Sequence, residues 1–136
     1  MVVKRILVPV DGSEQAMKAV EVALSMAEDF ETEMIQALFV VNTALYSEPA
    51  LSFVELLTDE VQEVGEEMMA ELKAEAEERG ISLETDVVHG KPKKSIVQQA
   101  ESIDADLIVI GRIGAEPSGA VRKYVADNAS CNVLVV

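Results

Sequence analysis

Short apolar runs alternate with longer stretches of helical periodicity along the whole chain. Lys4-Arg-Ile-Leu-Val-Pro-Val10 is a compact apolar run flanked by charge, the pattern of a strand buried on both faces in a parallel sheet. Asp11-Gly12-Ser13-Glu14 then supplies turn chemistry and a helix start, with Ser13 as N-cap and Glu14 suited to the helix dipole. Met17, Val20, Leu24 and Ala27, with Ala16 and Ala23 beside them, keep helical spacing to about Phe30 and predict a face that covers a sheet. Glu33 to Val41 is a second strand and Asn42 to Pro49 a loop. From Ser52 to Arg79 the periodicity predicts the longest helix, with Leu57, Val61, Val64, Met68 and Leu72 on one stripe and a strongly acidic outer face. Gly80 stops that helix. Gly65, inside it, costs about 1 kcal/mol relative to alanine and marks a kink or a close crossing.

Ser82 to Val88 alternates polar and apolar, as a half-exposed edge strand does. Pro92 opens a helix that ends near Ser102. Asp106 to Ile110 is a fourth strand, Ser118 caps a short helix carrying Val121, Tyr124, Val125 and Ala129, and Asn132 to Val136 closes the chain as a fifth strand. Five alternations without a hairpin signal predict one α/β domain over residues 1–136, an open doubly wound sheet with right-handed crossovers. Such sheets bind ligands outside the carboxyl ends of the strands, where strand order reverses. If the first and fourth strands are neighbours, the turn after strand one and the turn after strand four share one crevice.

That second turn carries three glycines, Gly111, Gly114 and Gly119, within nine positions. Glycine lets a ligand approach the backbone closely, so the turn is either an anion cradle before a helix start or a plain strand-to-helix connection. Charge narrows the partners. With 25 acidic against 11 basic residues, the net charge of −14 opposes a nucleic-acid backbone or an anionic membrane surface. No apolar run approaches the ~18 residues needed to cross a bilayer, and a cytoplasmic protein is expected. A single cysteine, Cys131, rules out an internal disulfide or a multi-cysteine zinc site. His89, the only histidine, has no second ligand near it in sequence, so no metal site is expected. Lys91, Lys93 and Lys94 read as a solvated helix start rather than a phosphate clamp. Asp11 lacks a nucleophile-base partner, which leaves ligand binding or turn capping and no catalytic residue.

Ile6-Leu-Val-Pro-Val-Asp-Gly-Ser13, Asp106-Leu-Ile-Val-Ile-Gly-Arg-Ile-Gly114 and the terminal Cys131-Asn-Val-Leu-Val-Val136 together resemble the universal stress protein family, over the whole chain. The resemblance implies a five-stranded parallel sheet of order 3-2-1-4-5 with helices on both faces, in a homodimer, and an adenine nucleotide, ATP or AMP with Mg, over the ends of strands one and two. Carried over, Pro9, Val10 and Asp11 match the positions at base and ribose, and Val40 or Val41 the backbone contact to adenine. Gly111 and Gly114 match the first phosphate-loop glycines, with Arg112, Ser118, Gly119, Ala120 and Val121 in the segment facing the phosphates. The chain departs from the ATP-binding pattern here. Only Ala115-Glu-Pro-Ser118 separates Gly114 from Gly119, against nine residues in the resembled motif, and Ala120 stands where a hydroxyl is expected. Losing one neutral hydrogen bond costs on the order of 1 kcal/mol. The shortened loop removes backbone that would wrap a triphosphate, and Glu116 adds like charge. Arg112 is either a compensating donor or a solvated tip, and Ser118 either replaces the hydroxyl or only caps the helix.

Three functions compete. The first is a nucleotide-responsive regulatory module of the stress response, acting on a regulatory protein partner. The second is an interaction module of the same family that binds nucleotide weakly or not at all. A slow ATP hydrolase ranks last, because no catalytic dyad is present. Val133-Leu-Val-Val136, an apolar edge strand with unpaired backbone groups, is the expected dimer contact.

Overall fold

The computed structural model describes residues 3–43, 51–112 and 118–136. Five strands, β1 (Arg5–Val10), β2 (Met34–Asn42), β3 (Leu83–Gly90), β4 (Leu107–Ile110) and β5 (Asn132–Val135), form one sheet of order β3-β2-β1-β4-β5. Every pairing is parallel. Four helices connect them: α1 (Glu14–Phe30), α2 (Leu51–Glu78), α3 (Pro92–Ser102) and α4 (Ala120–Asn128). The doubly wound architecture and the edge position of β3 are as the sequence predicts. Among the described residues no helix is long and apolar enough to cross a membrane.

Strand alternation divides the core into two layers. Ile6, Val8, Ile35, Ala37, Phe39 and Val109 face α1 and α2, while Leu7, Leu38, Ile108 and Ile110 face α3 and α4. The central strand β1 is buried along most of its length, as its unbroken apolar run requires. Its start is held by a feature the sequence reading passed over. The Asp106 carboxylate accepts hydrogen bonds from the Lys4 and Arg5 amides, both at 2.9 Å, and the Asp106 amide donates to the Arg5 carbonyl at 2.8 Å. A polar pair lies in the α3 layer: Gln99 Nε2 donates to Oε1 of the buried Gln36 at 2.7 Å.

The helix faces differ in detail from the expected ones. Met17 is exposed, and α1 meets the sheet through Ala16, Ala19, Val20, Ala23 and Leu24, whose small side chains bring the helix close. On α2, Val64 is 55% exposed and the inward stripe instead passes through Gly65, Met69, Leu72 and Ala76. The reason is Phe39. Its ring occupies the space where a Gly65 side chain would stand, so Gly65 marks a close crossing. The predicted side chain Leu57 and most of the predicted loop, 44–50, lie outside the described residues. Arg79 Nη1 and Nε reach Glu21 and Glu28 at 2.8 and 2.9 Å and tie the end of α2 to α1.

Two caps behave differently. Ser13 caps α1 as expected, accepting from the Ala16 amide at 3.2 Å. At α4 the cap residue is Gly119, with φ +70°, and Ser118 reaches in from one residue earlier to accept from the Ala120 amide at 3.3 Å. Ser118 therefore contributes a first-turn bond without being the cap. Cys131 packs half-buried against the α3 and α4 layer, and burial pushes its thiol above the usual range.

Candidate functional site

β1 and β4 are neighbours, with Ile6 opposite Leu107 and Leu7 opposite Ile108, so the reversal of strand order falls at their carboxyl ends. A cleft of about 270 Å³ opens there. From β1 and its turn come Pro9, Val10, Asp11 and Ser13; from β2 come Leu38, Phe39, Val40 and Asn42; from the end of β4 come Ile110 and Gly111. Val61 of α2 closes one side, Pro92 and Ile96 of α3 another, and Gly119, Val121 and Arg122 at the start of α4 complete the wall. The floor is apolar and the polar groups sit at the rim, the usual composition of a small-molecule site.

Of the residues singled out in sequence, Pro9, Val10, Asp11, Val40, Gly111, Gly119 and Val121 line this cleft. Val41 does not. Its side chain is fully buried in the layer beneath α1 and α2, and the contact the resemblance implies at this position is one of backbone. Arg112 is exposed outside the lining, and its amide donates to the Val136 carbonyl at 2.8 Å. Ser118 and Ala120 are exposed next to the lining. Gly114, with Glu116, lies outside the described residues. Asp11 shows turn capping directly: its Oδ1 accepts from the Ser13 amide at 2.9 Å, which shapes the turn into α1 while leaving the carboxylate at the cleft rim. Gly111 has a packing reason for being glycine, since a Cβ there would stand 2.9 Å from the Gln15 carbonyl carbon on the first turn of α1.

His89 Nε2 and Gln62 Oε1 are 2.6 Å apart, which links the edge strand to α2. Lys93 Nζ stands 5.3 Å from the centre of the Tyr124 ring and joins α3 to α4. Both residues thus have roles in holding elements together.

Arg122 is the charged member of the lining residues that sequence reasoning missed, which also include Ser13, Phe39 and Asn42. Among the described residues it is the only basic side chain lining the cleft. Its Nε is buried without a hydrogen-bond partner, and its Nη2 lies 3.0 Å from the place a Gly119 Cβ would take. One signal was available in the sequence: an arginine in the first turn of a helix opposes the dipole preference for anions there.

A doubly wound parallel sheet with a cleft at its switch point places the chain in the class of open α/β folds that take ligands at the carboxyl ends of their strands. Residues 3–136 match the universal stress protein family, and the chain belongs to it. A universal stress protein of Methanocaldococcus jannaschii is 36% identical over 139 residues, covering 98% of this chain and 81% of that protein. The solved universal stress protein UspA from Lactobacillus plantarum superposes with a TM-score of 0.93 at 30% identity, covering 100% and 99% of the two chains. More distant structures of the same fold are complexes: a universal stress protein with cAMP (23% identity, TM-score 0.77; 100% of this chain and 98% of that one), and an Arabidopsis thaliana member with AMP (17%, 0.73; 98% and 90%).

Proposed function

We propose that the chain is a regulatory adenine-nucleotide-binding module whose preferred ligand carries a short phosphate, AMP before ATP. The observation that carries this reading is the cleft at the ends of β1, β2 and β4, with an apolar floor for a base, the Asp11 carboxylate at the rim for a ribose, and a cation on α4 for a phosphate. Family members solved with AMP and cAMP support the ligand class. The four residues between Gly114 and Gly119 offer little backbone to wrap outer phosphates, and Ala120 offers no hydroxyl. Magnesium, which would bridge outer phosphates, has correspondingly less to act on.

Calorimetric titration of the purified chain with AMP, and with ATP and magnesium, tests the reading. AMP is expected to bind more tightly. ATP binding at low micromolar affinity or better, with AMP weaker, contradicts it, and absence of binding by either favours the interaction-module alternative.

The proposal includes a homodimer through Val133–Val136. Among the described residues β5 pairs only with β4, and Leu134 on it is 38% exposed, so a second copy would cover unpaired backbone and aliphatic surface. Light scattering is expected to give the mass of two chains; a monomer at high micromolar concentration would remove this part.

A further inference from the structure

We infer that Arg122 is the phosphate-binding side chain of the cleft, and that it sets the site's preference for a nucleoside monophosphate over the bare nucleoside. The inference rests on the nucleotide reading above and assigns the anion to a residue outside the glycine loop. Three observations converge on it.

The first is an unmet donor. Arg122 Nε is shut off from solvent and has no hydrogen-bond partner, although a guanidinium carries five donors and a buried unpaired one is costly. The second is position. Arg122 stands in the first turn of α4, a nine-residue helix with no acidic residue in that turn, so a positive charge faces the positive end of the helix dipole. Folding alone disfavours a cation there. An anion in the cleft would relieve the second penalty, because it reverses the local charge; the solvent-shielded Nε is out of its reach, so a phosphate would meet the Nη end of the guanidinium. The third is shape. Gly119 leaves room for the guanidinium to lie over the backbone at the cleft wall, where a Cβ would meet Nη2 at 3.0 Å. The planar fork can bind two oxygens of one phosphate.

Lys91, Lys93 and Lys94 do not compete for this role, since none of them lines the cleft and Lys93 is committed to Tyr124. The Asp11 carboxylate also lines the cleft, and its charge repels phosphate, so a nucleotide would lie with its ribose toward β1 and its phosphate toward α4.

The test compares adenosine and AMP binding by calorimetry in the wild-type chain, Arg122→Ala and Arg122→Lys. The wild-type chain is expected to prefer AMP by about tenfold or more, the range of a charge-assisted bond. Arg122→Ala should bind the two within about twofold while adenosine affinity is retained, and Arg122→Lys, which keeps the charge but loses the fork, should fall between them. Thermal unfolding supplies a second readout. Without ligand, Arg122→Ala should melt at or above the wild-type temperature, because the unpaired donor and the dipole conflict are gone. A fall in Tm of about 5 °C or more would make Arg122 a structural residue and overturn the inference. An unchanged AMP-to-adenosine ratio in Arg122→Ala overturns it while leaving the nucleotide reading intact. A wild-type chain that binds neither compound defeats both.

Discussion

Replacing Gly65 with valine is expected to lower stability by about 2 kcal/mol, against the direction that helix propensity alone would give. Any side chain recovers part of the ~1 kcal/mol that glycine loses in a helix interior. The added Cβ, however, would stand 2.5 Å from Cδ1, 2.8 Å from Cε1 and 3.0 Å from Cγ of Phe39. That ring is 8% exposed and packed against the sheet, so it has little room to give, and overpacking of this kind costs about 1–3 kcal/mol. Valine adds two further methyl groups at the same crossing. Urea denaturation reads the difference as a lowered midpoint with an unchanged slope. A variant as stable as the wild type would show that α2 can lift away without loss. Because Phe39 also lines the cleft, the displaced ring should weaken nucleotide binding in the same variant.

The second large effect comes from a pair of deletions in the α3 and α4 layer. Leu38 and Ile108 are both fully buried, and both belong to that layer. Truncation of either to alanine falls in the range of about 2–5 kcal/mol, with the cost rising as the cavity left behind stays empty. Leu38 lines the cleft and Ile108 does not. The hole at position 38 therefore merges with a space already open to water, while the hole at 108 is enclosed on all sides. Ile108→Ala is expected to cost about 4 kcal/mol and Leu38→Ala about 1–2 kcal/mol less, by denaturant unfolding. The reverse order would mean that the cleft closes over Leu38 in solution.

The architecture was readable because each strand is a compact apolar run and each turn carries its own stop or start residue, such as Ser13, Gly80 and Pro92. Helix faces were less so. Helical spacing puts Val64 and Met17 on the inward stripes, yet the surfaces that touch the sheet include Gly65, Ala19 and the already expected Ala16 and Ala23, and close approach selects small residues. At the site, the β1 turn and the β4 turn were brought together as the strand order required. Val40 and Val41 read alike in sequence, since both are valines at the carboxyl end of β2 and the implied contact is made by backbone; of the two, Val40 lines the cleft. Gly111 reads the same in sequence whether it cradles a phosphate or makes room for Gln15. Arg122 was passed over because an arginine on a short polar helix resembles a solvated side chain; its burial at Nε becomes visible only when α4 is docked on the sheet.

The Gln36 and Gln99 pair gives the α3 layer an index mark. Apolar contacts tolerate sliding, since one aliphatic group replaces another at small loss. A buried amide does not. If α3 moved by one turn along the sheet, Gln36 Oε1 would lose the donor that now sits 2.7 Å away, at a cost of about 1–3 kcal/mol for the orphaned group. α3 also carries Pro92 and Ile96 into the cleft wall. A hydrogen bond between two residues outside the cleft lining thus helps set where α3 stands, and a polar residue in the core serves as a positional gauge for the cleft wall.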